Sequence, residues 1–286
     1  MKNQRELTRR QFLSSASIPL AGLACSQTAL AKSAYAAAVL MKHPVGYWRL
    51  GEKNGPEAAD ASGNNHHGKY LGAPAFGQRG ALEGDPDTAV RFAPPSSSVE
   101  IASSAQFSQP SSGRGLTVEV WMRPDALVFP GESSDPYVMW LGKGQQDEME
   151  WGFRFYSNSS TRPNRISAYV WNAEGGLGSG AYFQDLLKAG QWLHVAATFD
   201  PGNENNPRAG VSIYKNGELR GGPATQKGAT YAAYNVRPRK GPAPLRLGTR
   251  DLSSFFTGAL DEVAIYSQKL TPAEVREHYR LGIGAA

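Results

Sequence analysis

Leu116-Thr117-Val118-Glu119-Val120-Trp121-Met122-Arg123-Pro124 is the stretch from which the fold can be read. Its aliphatic residues recur at every second position. Side chains of an extended strand project alternately to opposite faces, so Leu116, Val118, Val120 and Met122 form one face and Thr117, Glu119, Trp121 and Arg123 the other. The first face reads as core. The same parity sets Phe153 and Phe155 opposite Arg154 and Tyr156, Ile166, Ala168 and Val170 opposite Tyr169 and Trp171, and Val195, Ala197 and Phe199 opposite His194 and Thr198. A second, amphipathic face is therefore expected, holding Glu119, Trp121, Arg123, Arg154, Tyr156, Tyr169, Trp171 and His194.

Outward from this strand, Gly46 to Leu50, Ala89 to Phe92, Val99 to Ile101, Tyr137 to Leu141, Val211 to Lys215, Leu245 to Leu247 and Gly258 to Tyr266 are further short apolar segments. Clusters of Gly, Pro, Asn, Asp and Ser separate them. About eleven such strands with no long helix between them predict an all-β, two-sheet antiparallel β-sandwich. Asn216-Gly217 supplies the positive backbone angles of a tight hairpin turn. Thr271-Pro272-Ala273-Glu274 predicts a short C-terminal helix to about Tyr279, stopped at Gly282, because it joins a capping hydroxyl, a proline at the first helical position and a glutamate three residues on. The 286 residues are 40% hydrophobic and 19% charged, with 32 Gly and 19 Pro, a composition that excludes coiled coils and disordered tails. One Cys excludes an internal disulfide and a thiolate zinc cluster.

Thr8-Arg9-Arg10-Gln11-Phe12-Leu13 places paired arginines before an apolar run, Phe12 to Leu23, that is too short to span a bilayer. It resembles a bacterial twin-arginine export signal. Small residues at Ala29-Leu30-Ala31 predict cleavage there, with Ala34-Tyr35-Ala36 as a second possible site. Residues 1–31 are thus read as a leader, 32–43 as a linker, 44–281 as a single domain and 282–286 as a tail. The expected location is periplasmic or extracellular, with lipid anchoring at Cys25 as a minor alternative and no membrane span left after cleavage. The formal net charge of +5 falls to +2 without the leader, whose Lys2, Arg5, Arg9 and Arg10 outweigh Glu6. Nucleic acid is accordingly not expected as a partner.

The series Gly46-Tyr47-Trp48-Arg49-Leu50-Gly51-Glu52, Asp60-Ala61-Ser62-Gly63-Asn64, Leu116 to Pro124, Gln191 to Asp200, Ile213-Tyr214-Lys215-Asn216-Gly217, Phe256 to Tyr266 and Leu270 to Val275 resembles, in order, the laminin-G-like jelly rolls of the concanavalin A-like lectin and glucanase superfamily. The resemblance covers about residues 44 to 281. It implies a concanavalin A-like jelly roll, and it implies that Asp60, Asn64 and Asp261 lie near a structural calcium, an ion that takes six to eight hard oxygen ligands. Turn capping by Asp60 and Asn64 is the alternative. The longer loops at Pro130 to Pro136, Gln145 to Glu150 and Gly221 to Pro244 depart from the family pattern.

Two functions follow. Aromatic rings beside hydrogen-bonding groups suit sugars, so Arg154, Tyr156, Tyr169, Trp171 and Glu119 are candidate ligand-binding residues of a domain that binds a polysaccharide, glycoconjugate or cell-surface protein without catalysis. The alternative is a polysaccharide-degrading enzyme. Glu148 and Glu150 would share a strand face as a glycosidase pair, or His194 or Tyr156 would act as a lyase base with Arg154 neutralising a uronate. The sequence shows no His-x-x-x-His pair, phosphate-cradling glycine loop or Gly-x-Ser-x-Gly elbow.

Overall fold

Alternation along Leu116–Pro124 becomes strand geometry in the computed structural model, which describes residues 33–285 except 113–114, 130–134, 146, 172–177, 202–209, 226, 231–235 and 237–239. The leader, Cys25 and most of the Pro130 to Pro136 loop lie outside the described residues. Ser33–Ala286 form one compact unit.

The strands in chain order are β1 (Gly46–Trp48), β2 (Glu57–Ala58), β3 (Gly68–Leu71), β4 (Ala75–Arg79), β5 (Thr88–Phe92), β6 (Ser98–Ile101), β7 (Leu116–Pro124), β8 (Tyr137–Lys143), β9 (Trp151–Tyr156), β10 (Arg165–Trp171), β11 (Gly178–Gln184), β12 (Leu193–Asp200), β13 (Gly210–Lys215), β14 (Glu218–Gly221), β15 (Ala229–Thr230), β16 (Leu245–Leu247) and β17 (Gly258–Tyr266). They make two antiparallel sheets. The first runs β14-β13-β12-β7-β17-β5-β4 with β1 also on β17, and the second runs β15-β11-β10-β9-β8-β16-β6-β3-β2. Between them lies the core read from parity: Val118, Val120 and Met122 from β7 meet Phe153, Phe155, Ile166 and Trp140 from the second sheet. Each such aliphatic or phenylalanine side chain stabilises the fold by about 1.5–3 kcal/mol on leaving water. The whole is a two-sheet antiparallel β-sandwich, as the alternation predicts.

Local signals place the edges. Asn216 and Gly217 have φ of 51° and 76°, the pair of left-handed residues that a two-residue hairpin between β13 and β14 needs. Helix α2 (Pro272–Gly282) begins on a complete capping box between Thr271 and Glu274. A second helix, α1 (Ala34–Met41), occupies the stretch read as a linker. Ser33 caps it by accepting from Ala36 N at 3.1 Å, and its alanines favour the helix. Both helices lie on the outer side of the first sheet. Tyr35, Ala36 and Val39 of α1 and Val275 of α2 bury themselves there with Tyr47, Trp121, Ala196, Tyr214 and Tyr266, as a second apolar layer.

Candidate functional site

The outer face of the second sheet gathers Arg154, Tyr156, Tyr169 and Trp171. Register explains their placement: Arg154 pairs with Ser167 and Met139, Tyr156 with Tyr137, and Tyr169 with Gly152 and Gly180. Glycines at 142 and 152 make room across the face for the Arg250 stem. A Cβ at Gly142 would come 3.2 Å from Arg250 Cγ, and one at Gly152 would come 3.3 Å from Arg250 Cδ. The outcome is a ladder of rings and guanidiniums. Arg154 lies 4.0 Å from the Tyr137 ring and 5.1 Å from Tyr169, Tyr169 stacks on Trp171 at 5.5 Å, and Arg250 lies 5.3 Å from Trp171. These are cation–π and offset-stacking separations.

The ladder is wet at one end. Tyr156, Tyr169 and Trp171 are 1%, 5% and 7% exposed, whereas Tyr137 is 40% exposed. Two arginines converge beside it: Arg154 Nη1 donates to the Tyr156 hydroxyl at 2.9 Å and Arg162 Nη1 at 3.0 Å. Burial resists ionisation of Tyr156, but the two guanidiniums outweigh it and hold the phenol below its ordinary pKa. Tyr137 also lines a cleft of about 310 Å³ with Pro94, Pro95, Val128, Ser253 and Ser254. Val128 is 63% exposed at its mouth. Rings, a valine and hydroxyls around a space of this size suit one or two sugar units better than a bulky ligand.

Glu119 and His194 do not belong to this face. They lie on the opposite side of the molecule, on the outer side of the first sheet, because β7 and β12 belong to that sheet. The single amphipathic face expected from parity is therefore two faces, since alternation tells a core side from an outer side but not which sheet a strand joins. Helices α1 and α2 close over Glu119, which is fully buried. His278 Nδ1 lies 3.0 Å from Glu119 Oε1, His194 Nε2 lies 3.4 Å from Oε2, and Tyr266 donates its hydroxyl to Oε1. Burial raises the Glu119 pKa, yet the two imidazoles prevail and hold it far below the carboxylate range. His278 is held above its ordinary value, burial notwithstanding, by the same carboxylate. Trp121 and Arg123, on the same side of β7 as Glu119, likewise lie on the first sheet: Trp121 packs under α2, stacked on Tyr279, and Arg123 lies 5.3 Å from the Trp192 ring.

Glu148 and Glu150 do not share a strand face. β9 begins only at Trp151, and Glu148 belongs to a turn in which its carboxylate accepts from Gln145 Nε2 at 2.7 Å. Glu150 is sealed inside with Lys143, 2.5 Å away and fully buried. It also accepts from Ser108 at 2.6 Å and from Gly241 N at 2.9 Å, while Lys143 donates to the Gly241 and Ala243 carbonyls. This is a structural clamp on the loop before β16.

The residues implied as calcium ligands have other partners. Asp60 Oδ1 accepts from the N–H groups of Tyr47 and Ser62 and Oδ2 from that of His66, so both oxygens already cap a turn. Asn64 turns its amide nitrogen to the Pro44 and Val45 carbonyls. Asp261 accepts from Ala81 N at 2.8 Å and leaves Oδ1 buried without a partner. Burial and then Glu262 raise its pKa far above the usual carboxylate range. Among the described residues no three His, Cys, Asp or Glu side chains converge as a metal site. As arranged, these residues fit turn capping better than calcium.

The sequence reading missed Tyr137, Arg162 and Arg250. Parity within β8 sets Tyr137 on the same side as Met139, but only the β8–β9 register brings it opposite Tyr156. Arg162 and Arg250 come from turns, where no periodicity exists to read.

A family model described as the concanavalin A-like lectin/glucanases superfamily matches residues 96–276. No curated protein matches the chain. Among solved structures, the binding domain of botulinum neurotoxin DC in complex with rat synaptotagmin II is 12% identical with a TM-score of 0.57, covering 85% of this chain and 52% of its own. A structure concerning cell entry of botulinum neurotoxin type C, dependent upon interaction with two ganglioside molecules, gives 13%, 0.57, 85% and 52%. Domain 4 of AbnA, a GH43 extracellular arabinanase from Geobacillus stearothermophilus, in complex with arabinotriose, gives 17%, 0.51, 82% and 98%. The chain spans about half the length of the neurotoxin domains. At such identities the likeness is one of fold.

Proposed function

This chain belongs to the concanavalin A-like lectin/glucanases superfamily, and we propose from that premise that it is an exported domain that binds glycan without turning it over, at the Tyr137 end of the second sheet. The observation that carries the reading is the junction of an exposed tyrosine, a hydroxyl-bearing cleft of about 310 Å³ and a guanidinium-braced ring ladder. Pyranoses present apolar faces to rings and hydroxyls to polar groups, and both are offered within one small space. The carboxylates considered for glycosidase chemistry are a turn residue and a closed ion pair, which leaves binding as the simpler account. Neighbours of this fold whose structures contain arabinotriose or concern gangliosides support a glycan partner, and the complex with synaptotagmin II supports a protein partner as the variant reading.

A glycan array on the purified domain, followed by calorimetry and a reducing-sugar assay, tests this. Binding without product release, weakened at least several-fold by Tyr137→Ala, is the expected result. One observation favours catalysis instead: the Tyr156 phenol, held by two guanidiniums, has the character of a lyase base. Unsaturated product from a uronate polymer, abolished by Tyr156→Phe, would replace the binding reading.

A twin-arginine leader that directs this export is part of the proposal. No helix among the described residues is long and apolar enough to cross a membrane. Calcium at Asp60 would have to displace the backbone donors it now accepts from.

A further inference from the structure

Resting on that reading, we infer that the ligand is an acidic glycan, its carboxylate held between Arg154 and Arg162 and its ring face laid on Tyr137. Charge bookkeeping at this end of the sheet carries the argument. Two guanidiniums reach a single phenol oxygen, that of Tyr156. Asp135 stands 3.5 Å from Arg162 Nε. Arg154 has no carboxylate partner among the described residues; its remaining surroundings are the rings of Tyr137, Tyr156 and Tyr169. Its Nε is buried with no acceptor among the described residues. A cation taken from water and given ring faces but no anion, with a donor left unmade, is held at a cost that an anionic ligand would relieve.

The ladder repeats the pattern at its far end. Arg250 is 5% exposed, pairs through Nη2 with Asp251, and among the described residues leaves both Nε and Nη1 without acceptors over the Trp171 side of the face. Unmatched guanidinium donors thus recur along the row, and the row meets solvent at the exposed Tyr137 beside the cleft. A planar carboxylate matches the guanidinium fork, and a sugar acid brings an apolar ring face on the same molecule. Arabinan and other neutral polymers offer hydroxyl acceptors but no anion to match the charge.

The test is calorimetric titration of the intact domain with polygalacturonate and alginate, with the methyl ester of each, and with arabinan and dextran sulfate. An acidic polymer should bind about tenfold or more tighter than its ester, with affinity falling as salt is raised. Arg154→Gln and Arg162→Gln should each weaken the acidic polymer about tenfold while leaving the ester unchanged. Arg162 is the safer variant for folding, since its side chain is 44% exposed. Arg165→Gln is the control, a cation on the same sheet face that is already bonded to Gln184. Equal binding of acid and ester, or an affinity that neither variant alters, overturns the inference while the glycan-binding reading stands. Dextran sulfate binding that survives both substitutions marks diffuse surface charge and overturns it as well. Absence of binding to every polymer removes both readings.

Discussion

Lys143 is a buried cation whose three donors all have acceptors: Glu150, the Gly241 carbonyl and the Ala243 carbonyl. Removing one member of such a pair leaves the other charge stranded, at a cost of about 3–5 kcal/mol. Lys143→Met should therefore lower stability by that order in chemical denaturation, and Lys143→Met with Glu150→Leu should recover most of it. The Glu119 pair makes a second residue-scale prediction. His278 has a raised pKa in the folded state, so its contribution is complete below the free imidazole value of about 6.5 and is lost as pH climbs through the folded value. Glu119, being depressed, contributes above about pH 4.3 and loses its share only as pH falls towards its folded value. Glu262 is pushed up to about 7 by burial against the pull of Arg49, so its ionisation too costs stability as pH rises towards 7. Thermal melts of the parent and His278→Gln across pH 5 to 9 should draw together towards the alkaline end, as the parent's imidazole loses the charge that pairs with Glu119. A constant gap across the whole range would contradict the ion pair. None of these partners was legible in sequence, because Glu150 with Lys143 and Glu119 with His278 are joined by register and helix docking rather than by spacing.

At the scale of elements, legibility follows how local the signal is. The Asn216-Gly217 turn and the Thr271 capping box are complete within four residues, and both formed as read. Helix α1 has no such completeness: Ala34-Tyr35-Ala36-Ala37-Ala38 reads equally as helix, linker or processing site until its packing is known. Tyr35, 1% exposed, sets its ring edge-on to Trp121, His194 and His278. Cleavage after Ala36 would delete that ring and the Ser33 cap. If the proposed leader is removed, N-terminal sequencing of the mature chain should accordingly begin at Lys32. Tyr35→Ala should cost about 3–5 kcal/mol through the cavity it leaves. The β-bulge in β17 is likewise invisible to parity: Glu262, at φ 52°, breaks the register between Asp261 and Ala264, so two consecutive acids are both buried.

At the scale of the molecule, the sandwich and its core were readable because parity and turn residues repeat along the whole chain. The division of outer residues between two opposite faces was not, since it depends on strand order. Calcium is testable at this scale. A structural ion shared by Asp60 and Asp261 would raise the melting temperature when millimolar calcium replaces a chelator, whereas turn capping by Asp60 predicts superimposable melts. The separation of faces also gives the protein an optical handle. Of its six tryptophans, Trp48, Trp140 and Trp151 sit between the sheets, and Trp121 and Trp192 sit with the helices. Trp171 alone looks out from the second sheet, in line with Arg154 through Tyr169. An event at Tyr137 that drew Arg154 away from its rings would alter the emission of a single indole, and the change should vanish in Trp171→Phe, which turns the ladder into a spectroscopic gauge of its own occupancy.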